Sequence, residues 1–143
     1  ELSDRIAAIS PNAAAMLLPT CTPTRPVPVQ HTHSRPDTNV PTLGGMGTGP
    51  SSNVVWPVTM DVLNAWVSIN GCATPPVVTP ASNFSRTWWN QCASGSEVDY
   101  YLTEDGGHAW PGGVEGSPMG DQPSTAIDKN DLMLEFFARH ELP

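Results

Sequence analysis

Apolar positions in this chain come in short runs broken by proline and glycine, and two stretches repeat at helical spacing. Residues 60–71 place Val62, Leu63, Trp66 and Ile69 on one stripe closed by Asn70-Gly71, which predicts an amphipathic helix with a glycine C-cap. Residues 130–140 do the same with Leu132, Met133, Phe136 and Phe137, entered through Asp128 or Asn130 as N-cap. Three runs read as strands: 25–33, with Val27, Val29 and His31 on one side despite Pro26 and Pro28; 84–89; and 98–102, after a turn at 90–95. Residues 1–10 carry Leu2, Ile6 and Ile9 at helical spacing, but Ala7-Ala8-Ile9-Ser10 before Pro11 reads equally as a buried strand. Residues 12–18 are small and apolar, and 19–23 form a loop. Residues 34–41 are a turn-forming string, 42–52 a glycine-rich loop, and 73–80 a proline-rich spacer. Strand, crossover helix, strand, helix is the order of an α/β sheet.

Composition narrows the reading. The 143 residues suit a single domain, 1–143, and 16 prolines and 12 glycines with only 14% charged residues predict many turns and few long helices. A formal charge of -8 argues against nucleic acid or an anionic membrane as partner. There is no apolar run of about eighteen residues to span a bilayer. Residues 1–6 have no basic region leading into an apolar core, so they do not read as a signal peptide. Of three cysteines, Cys72 and Cys92 are spaced to suit a disulfide joining a helix end to a strand end in a secreted chain, two buried thiols being the alternative; Cys21 is left over.

The chemistry falls at Glu104-Asp105-Gly106-Gly107-His108-Ala109-Trp110-Pro111-Gly112-Gly113, where a histidine follows a strand and stands between two glycine turns. Such a loop can hold an imidazole half-wet at the rim of a sheet, able to exchange protons. A histidine in a plain surface turn is the alternative. Asp37 follows the earlier strand in the same way, at the end where open α/β sheets assemble their sites, and a carboxylate there can fix the tautomer of an imidazole through Nδ1–H. Otherwise it is an Asx-turn residue bonding its own backbone.

The stretch from Cys21 to Pro41, containing His31-Thr32-His33-Ser34-Arg35-Pro36-Asp37, resembles the surroundings of the catalytic aspartate in secreted polyhydroxybutyrate depolymerase-like and feruloyl-esterase-like α/β-hydrolases. Asn70-Gly71-Cys72, Arg86-Thr87-Trp88-Trp89 with Cys92, Gly106-Gly107-His108-Ala109-Trp110-Pro111-Gly112-Gly113 and Glu135-Phe136-Phe137-Ala138-Arg139-His140 are similar to later landmarks of that family, in the same order. The resemblance implies an ester substrate, no cofactor, secretion, Asp37 as triad acid, His108 as general base and Trp110 as a wall of the substrate pocket. It also exposes two departures. The family reads His-Gly-Thr-x-Asp where this chain has Ser34, and no serine here lies in a G-x-S-x-G elbow, Gly116-Ser117-Pro118-Met119-Gly120 coming nearest. Residues 1–11 resemble the segment just after the elbow helix. The expected fold is therefore α/β, a partial α/β-hydrolase sheet with flanking helices whose N-terminal half, including the nucleophile elbow, is absent. A sheet so opened is expected to self-associate through its exposed edge.

Three other readings remain open. Ser10, Ser34 or Ser117 could serve as nucleophile near His108. Trp56, Trp66, Trp88, Trp89 and Trp110 could instead form a carbohydrate- or polymer-binding surface without catalysis, and His31 and His33 could join His108 or Asp37 around a metal, although no zinc spacing is matched.

Overall fold

A computed structural model describes residues 2–48 and 53–142, so residues 49–52 of the glycine-rich loop lie outside the described residues. The chain forms a small mixed α/β unit. Its sheet has the order β1 (Val29–Ser34), β6 (Val98–Thr103), β5 (Phe84–Trp89), β4 (Val77–Pro80). β1 and β6 are parallel, and the other two pairings are antiparallel. A two-stranded ribbon of β2 (Gly45–Met46) and β3 (Val55–Trp56) precedes helix α1 (Thr59–Ile69), and helix α2 (Lys129–Phe137) closes the chain.

Both helices form where the apolar spacing predicts, with shifted ends. α2 is capped by Asp128, whose carboxylate accepts the backbone N–H groups of Asn130 and Asp131. Phe136 from its apolar stripe is fully buried, whereas Phe137 stays 38% exposed. Helix α1 ends at Asn70 and Gly71 (φ +59°), as the Asn-Gly pair implies. The Asn70 side chain does more than close the helix. Completely buried, it accepts from the Val27 N–H at 2.9 Å and donates to the Val27 carbonyl at 2.8 Å, tying the helix end to the lead-in of β1.

β4 lies inside the stretch expected to be a spacer. Its four residues are all exposed, so no apolar alternation marks them, and as the edge strand it tolerates Pro80. At the opposite side of the sheet the N-terminal ambiguity resolves toward extended chain. Ile9 and Asn12 bridge in parallel to Val29 and Thr32, with backbone bonds from Ile9 N to Pro28 O and from Gln30 N to Ile9 O, each 3.0 Å.

β1 therefore has neighbours on both edges and cover on both faces, and all six of its residues are buried. On the α1 side of the sheet, His31 lies tilted against Tyr100 and His33 approaches Thr59. Toward α2, Gln30 donates to the Leu132 carbonyl. Lys129, which has no exposed surface, donates to Gln30 Oε1 at 3.1 Å and to Ser10 Oγ; burial pulls its ammonium pKa down to about 8. The apolar core is Leu63, Val67, Trp89, Val98 and Tyr100, with Trp66, Leu102 and the Cys72–Cys92 disulfide against it. Cys21 is a free thiol. No helix among the described residues is long and apolar enough to cross a membrane.

Candidate active site

Parallel pairing of β1 with β6 brings their C-terminal ends side by side, Ser34 opposite Thr103, so the loops that follow emerge from one edge of the sheet. The pairing runs on by one bond, Arg35 N to Thr103 O at 2.8 Å, and an exposed Arg35–Glu104 ion pair (2.7 and 2.9 Å) bridges the loop bases. Ser34 accepts Thr103 Oγ1 at 2.9 Å, so its side chain is accommodated in a buried hydroxyl pair.

Asp37 turns back on Ser34, its N–H donating to the Ser34 carbonyl at 3.1 Å. Its two carboxylate oxygens serve different partners. Oδ1 accepts the backbone N–H groups of Asn39 and Val40, each at 2.8 Å, which is the Asx-turn role. Oδ2 faces His108 Nδ1 at 3.0 Å, the contact that a triad acid would need, so the Asx turn leaves the second oxygen free for the imidazole. Burial alone would push the Asp37 carboxyl up. Hydrogen bonds from His33, the Val40 N–H and His108 outweigh it, and the net shift is downward.

The His108 loop depends on close approaches that only glycine permits. Gly106 has φ +77°, and a Cβ there would stand 2.6 Å from Ser124 N; at Gly107 a Cβ would stand 2.6 Å from the Asp121 side chain. Asp121 uses that proximity: its Oδ2 accepts the His108 N–H at 2.6 Å and lies 3.4 Å from Asn39 Nδ2, bracing both loops. Asp105 braces the next layer through Ser124 Oγ and the Thr125 N–H and hydroxyl. The His108 side chain is 40% exposed. A carboxylate can only accept, so in the neutral ring the proton sits on Nδ1 and the lone pair on Nε2. No hydrogen bond among the described residues reaches that Nε2, leaving it open to act as a base.

Other sequence candidates lie elsewhere. Trp110, 39% exposed, is pinned by Asn130 Oδ1 at 3.1 Å over the start of α2. A cavity of about 910 Å³ lies between the N-terminal segment and α1, lined by Leu2, Ile6, Ile9, Leu18, Cys21 and Trp66 among others, and Trp110 is not in its wall. Ser10 is engaged by Gln30 and Lys129, Ser34 by Thr103, and Ser117 caps an exposed turn at Met119; none bonds His108. Of the five tryptophans only Trp110 is exposed; Trp56, Trp66 and Trp88 are half-buried and Trp89 is buried. Among the described residues no group of three or more His, Cys, Asp or Glu side chains is arranged to hold a metal ion. Asp121 escapes sequence reasoning because it follows a glycine- and proline-rich stretch with no periodicity. Asp105, next to Gly106-Gly107, carried the better signal.

No protein-family model matches this chain, and no curated protein matches it.

Proposed function

We propose that this chain supplies the acid and base of a Ser-His-Asp triad in a secreted α/β-hydrolase acting on carboxylic esters, of the polyhydroxybutyrate depolymerase-like and feruloyl-esterase-like kind. The observation that carries the reading is the 3.0 Å contact between buried Asp37 Oδ2 and His108 Nδ1, with Nε2 open. Support also comes from the placement of the two residues on loops after adjacent parallel strands, in the order acid then base. The disulfide fits an oxidising compartment.

In this mechanism a serine hydroxyl attacks the ester carbonyl while His108 Nε2 takes its proton and Asp37 stabilises the resulting imidazolium through Nδ1–H. His108 returns that proton to the departing alkoxide, leaving an acyl-serine. Water then attacks, His108 accepts the water proton and gives it back to the serine oxygen, and the carboxylic acid departs. The serine and its oxyanion donors belong on a G-x-S-x-G turn, and the reading places that turn outside residues 1–143. A fluorophosphonate probe tests it. The complete gene product is expected to be labelled on a serine in a manner abolished by His108→Ala, and labelling indifferent to that change would overturn the reading.

A further inference from the structure

Asp37 Oδ2 stands between two imidazoles, and acyl transfer through His108 uses only one of them. His33, on β1 and 1% exposed, directs Nε2 at the Val40 carbonyl (2.9 Å), with Asp37 Oδ2 a second acceptor at 3.3 Å. A carbonyl oxygen can only accept, so Nε2 of His33 carries a proton. That one N–H grips the acid loop twice: at the carbonyl of Val40, whose own N–H holds Asp37 Oδ1, and at the carboxylate itself.

The ring of His33 is fixed from behind. Its Nδ1 meets His31 Nε2 at 3.1 Å and has Thr59 Oγ1 at 3.5 Å. His31 is tilted against Tyr100 and is fully enclosed; burial first, then the neighbouring His33 and Lys129, lowers its pKa to about 3, so it stays neutral. A second-row residue that orients a ligand or an acid is worth as much to a site as the packing that holds it. Helix α1 through Thr59, strand β6 through Tyr100 and strand β1 through both histidines thus converge on one carboxylate.

From this geometry we infer that His33 is a positioning residue for the Asp37 carboxylate, aiming Oδ2 at His108 Nδ1 and holding it as the anion, with His31 fixing the His33 ring. The inference rests on the acid–base reading of Asp37 and His108, but its readouts need no turnover. The groups facing Asp37 are His33, His108 and the Asn39 and Val40 N–H donors; those facing His33 are His31, Thr59, Val40 and Asp37.

NMR on the chain tests it in three arms. In the wild type, long-range ¹H–¹⁵N spectra should show His33 protonated at Nε2; a His33 ring bare at Nε2 overturns the inference, whatever the variants do. His33→Met removes the donor at similar volume, and should raise the pKa of the Asp37 carboxyl and abolish the low-field Nδ1–H signal of His108. His33→Gln, whose amide can donate to both Val40 O and Asp37, should restore both. Unchanged Asp37 titration and His108 signal in a folded His33→Met chain overturn the inference and leave the hydrolase reading to its own labelling test. If the low-field signal is missing from the wild type and Asp37→Asn leaves the His108 spectrum unaltered, the Asp37–His108 pair fails and the inference fails with it.

Discussion

Asp121 Oδ2 accepts the backbone N–H of His108 at 2.6 Å, thirteen residues back along the chain, and the same oxygen lies 3.4 Å from Asn39 on the acid loop. One carboxylate therefore holds the imidazole loop from below while reaching across to the loop that carries Asp37. Asp121→Ala should cost about 1 kcal/mol of stability for the lost bond. It should also speed hydrogen exchange at the His108 amide while leaving exchange within β6 unchanged, a contrast readable by NMR.

Gly107 lets Asp121 come that close. Gly107→Ala would place a methyl group 2.6 to 2.7 Å from three atoms of the Asp121 side chain. Relief requires the carboxylate to retreat from the His108 N–H. A loss of about 1–3 kcal/mol is expected by thermal or denaturant unfolding, and adding Asp121→Ala should recover part of it because the clash partner is gone.

The Cys72–Cys92 bridge joins the end of α1 to the end of β5 against the apolar core, with a sequence separation of 20. Replacing both cysteines with alanine should remove about 3 kcal/mol. The denaturation midpoint in urea should fall accordingly, and the oxidised and reduced wild-type chains should differ by a similar amount.

Lys129 supplies a pH signature. Its folded pKa of about 8 lies below the ordinary 10.5, so between those values the unfolded chain binds more protons and stability rises with pH. Below pH 8 the cost of burying the charge is fully present. Lys129→Met should abolish this rise, and comparing the two chains removes the opposing trend from Tyr101, whose hydroxyl is pushed up to about 12. Asp37 acts in the same direction but at acid pH: its lowered pKa means stability present above the unfolded carboxyl value and lost as pH falls through the folded one.

Both helices, the three main strands and the histidine loop that meets Asp37 were legible in the sequence because each had a local mark: a 3.6-residue stripe, a β-rich run, a histidine framed by glycines. What was not legible depends on partners distant in the chain. β4 has four exposed residues and becomes a strand through β5, and Lys129 reads as the polar start of a helix until Ser10 and Gln30 enclose it. Asp121 likewise reaches Asn39 only because the parallel β1–β6 pairing sets the two loops side by side, and His33 meets Thr59 only once α1 packs on the sheet.

The expectation of self-association has one concrete edge to use. β4 leaves Val77 and Val78 more than half exposed at the side of the sheet away from β5. Unpaired strand edges recruit other strands. Light scattering should find dimers or larger species growing with concentration, and a monomer at all concentrations would contradict this.

Ester hydrolysis by the complete gene product, compared between wild type and Asp37→Asn, tests the acid–base pair most directly. An asparagine turned with its amide toward Nδ1 donates there and so favours the wrong tautomer. The predicted result is a fall in kcat of about 10,000-fold with KM little changed; a variant that turns over at the wild-type rate would contradict it.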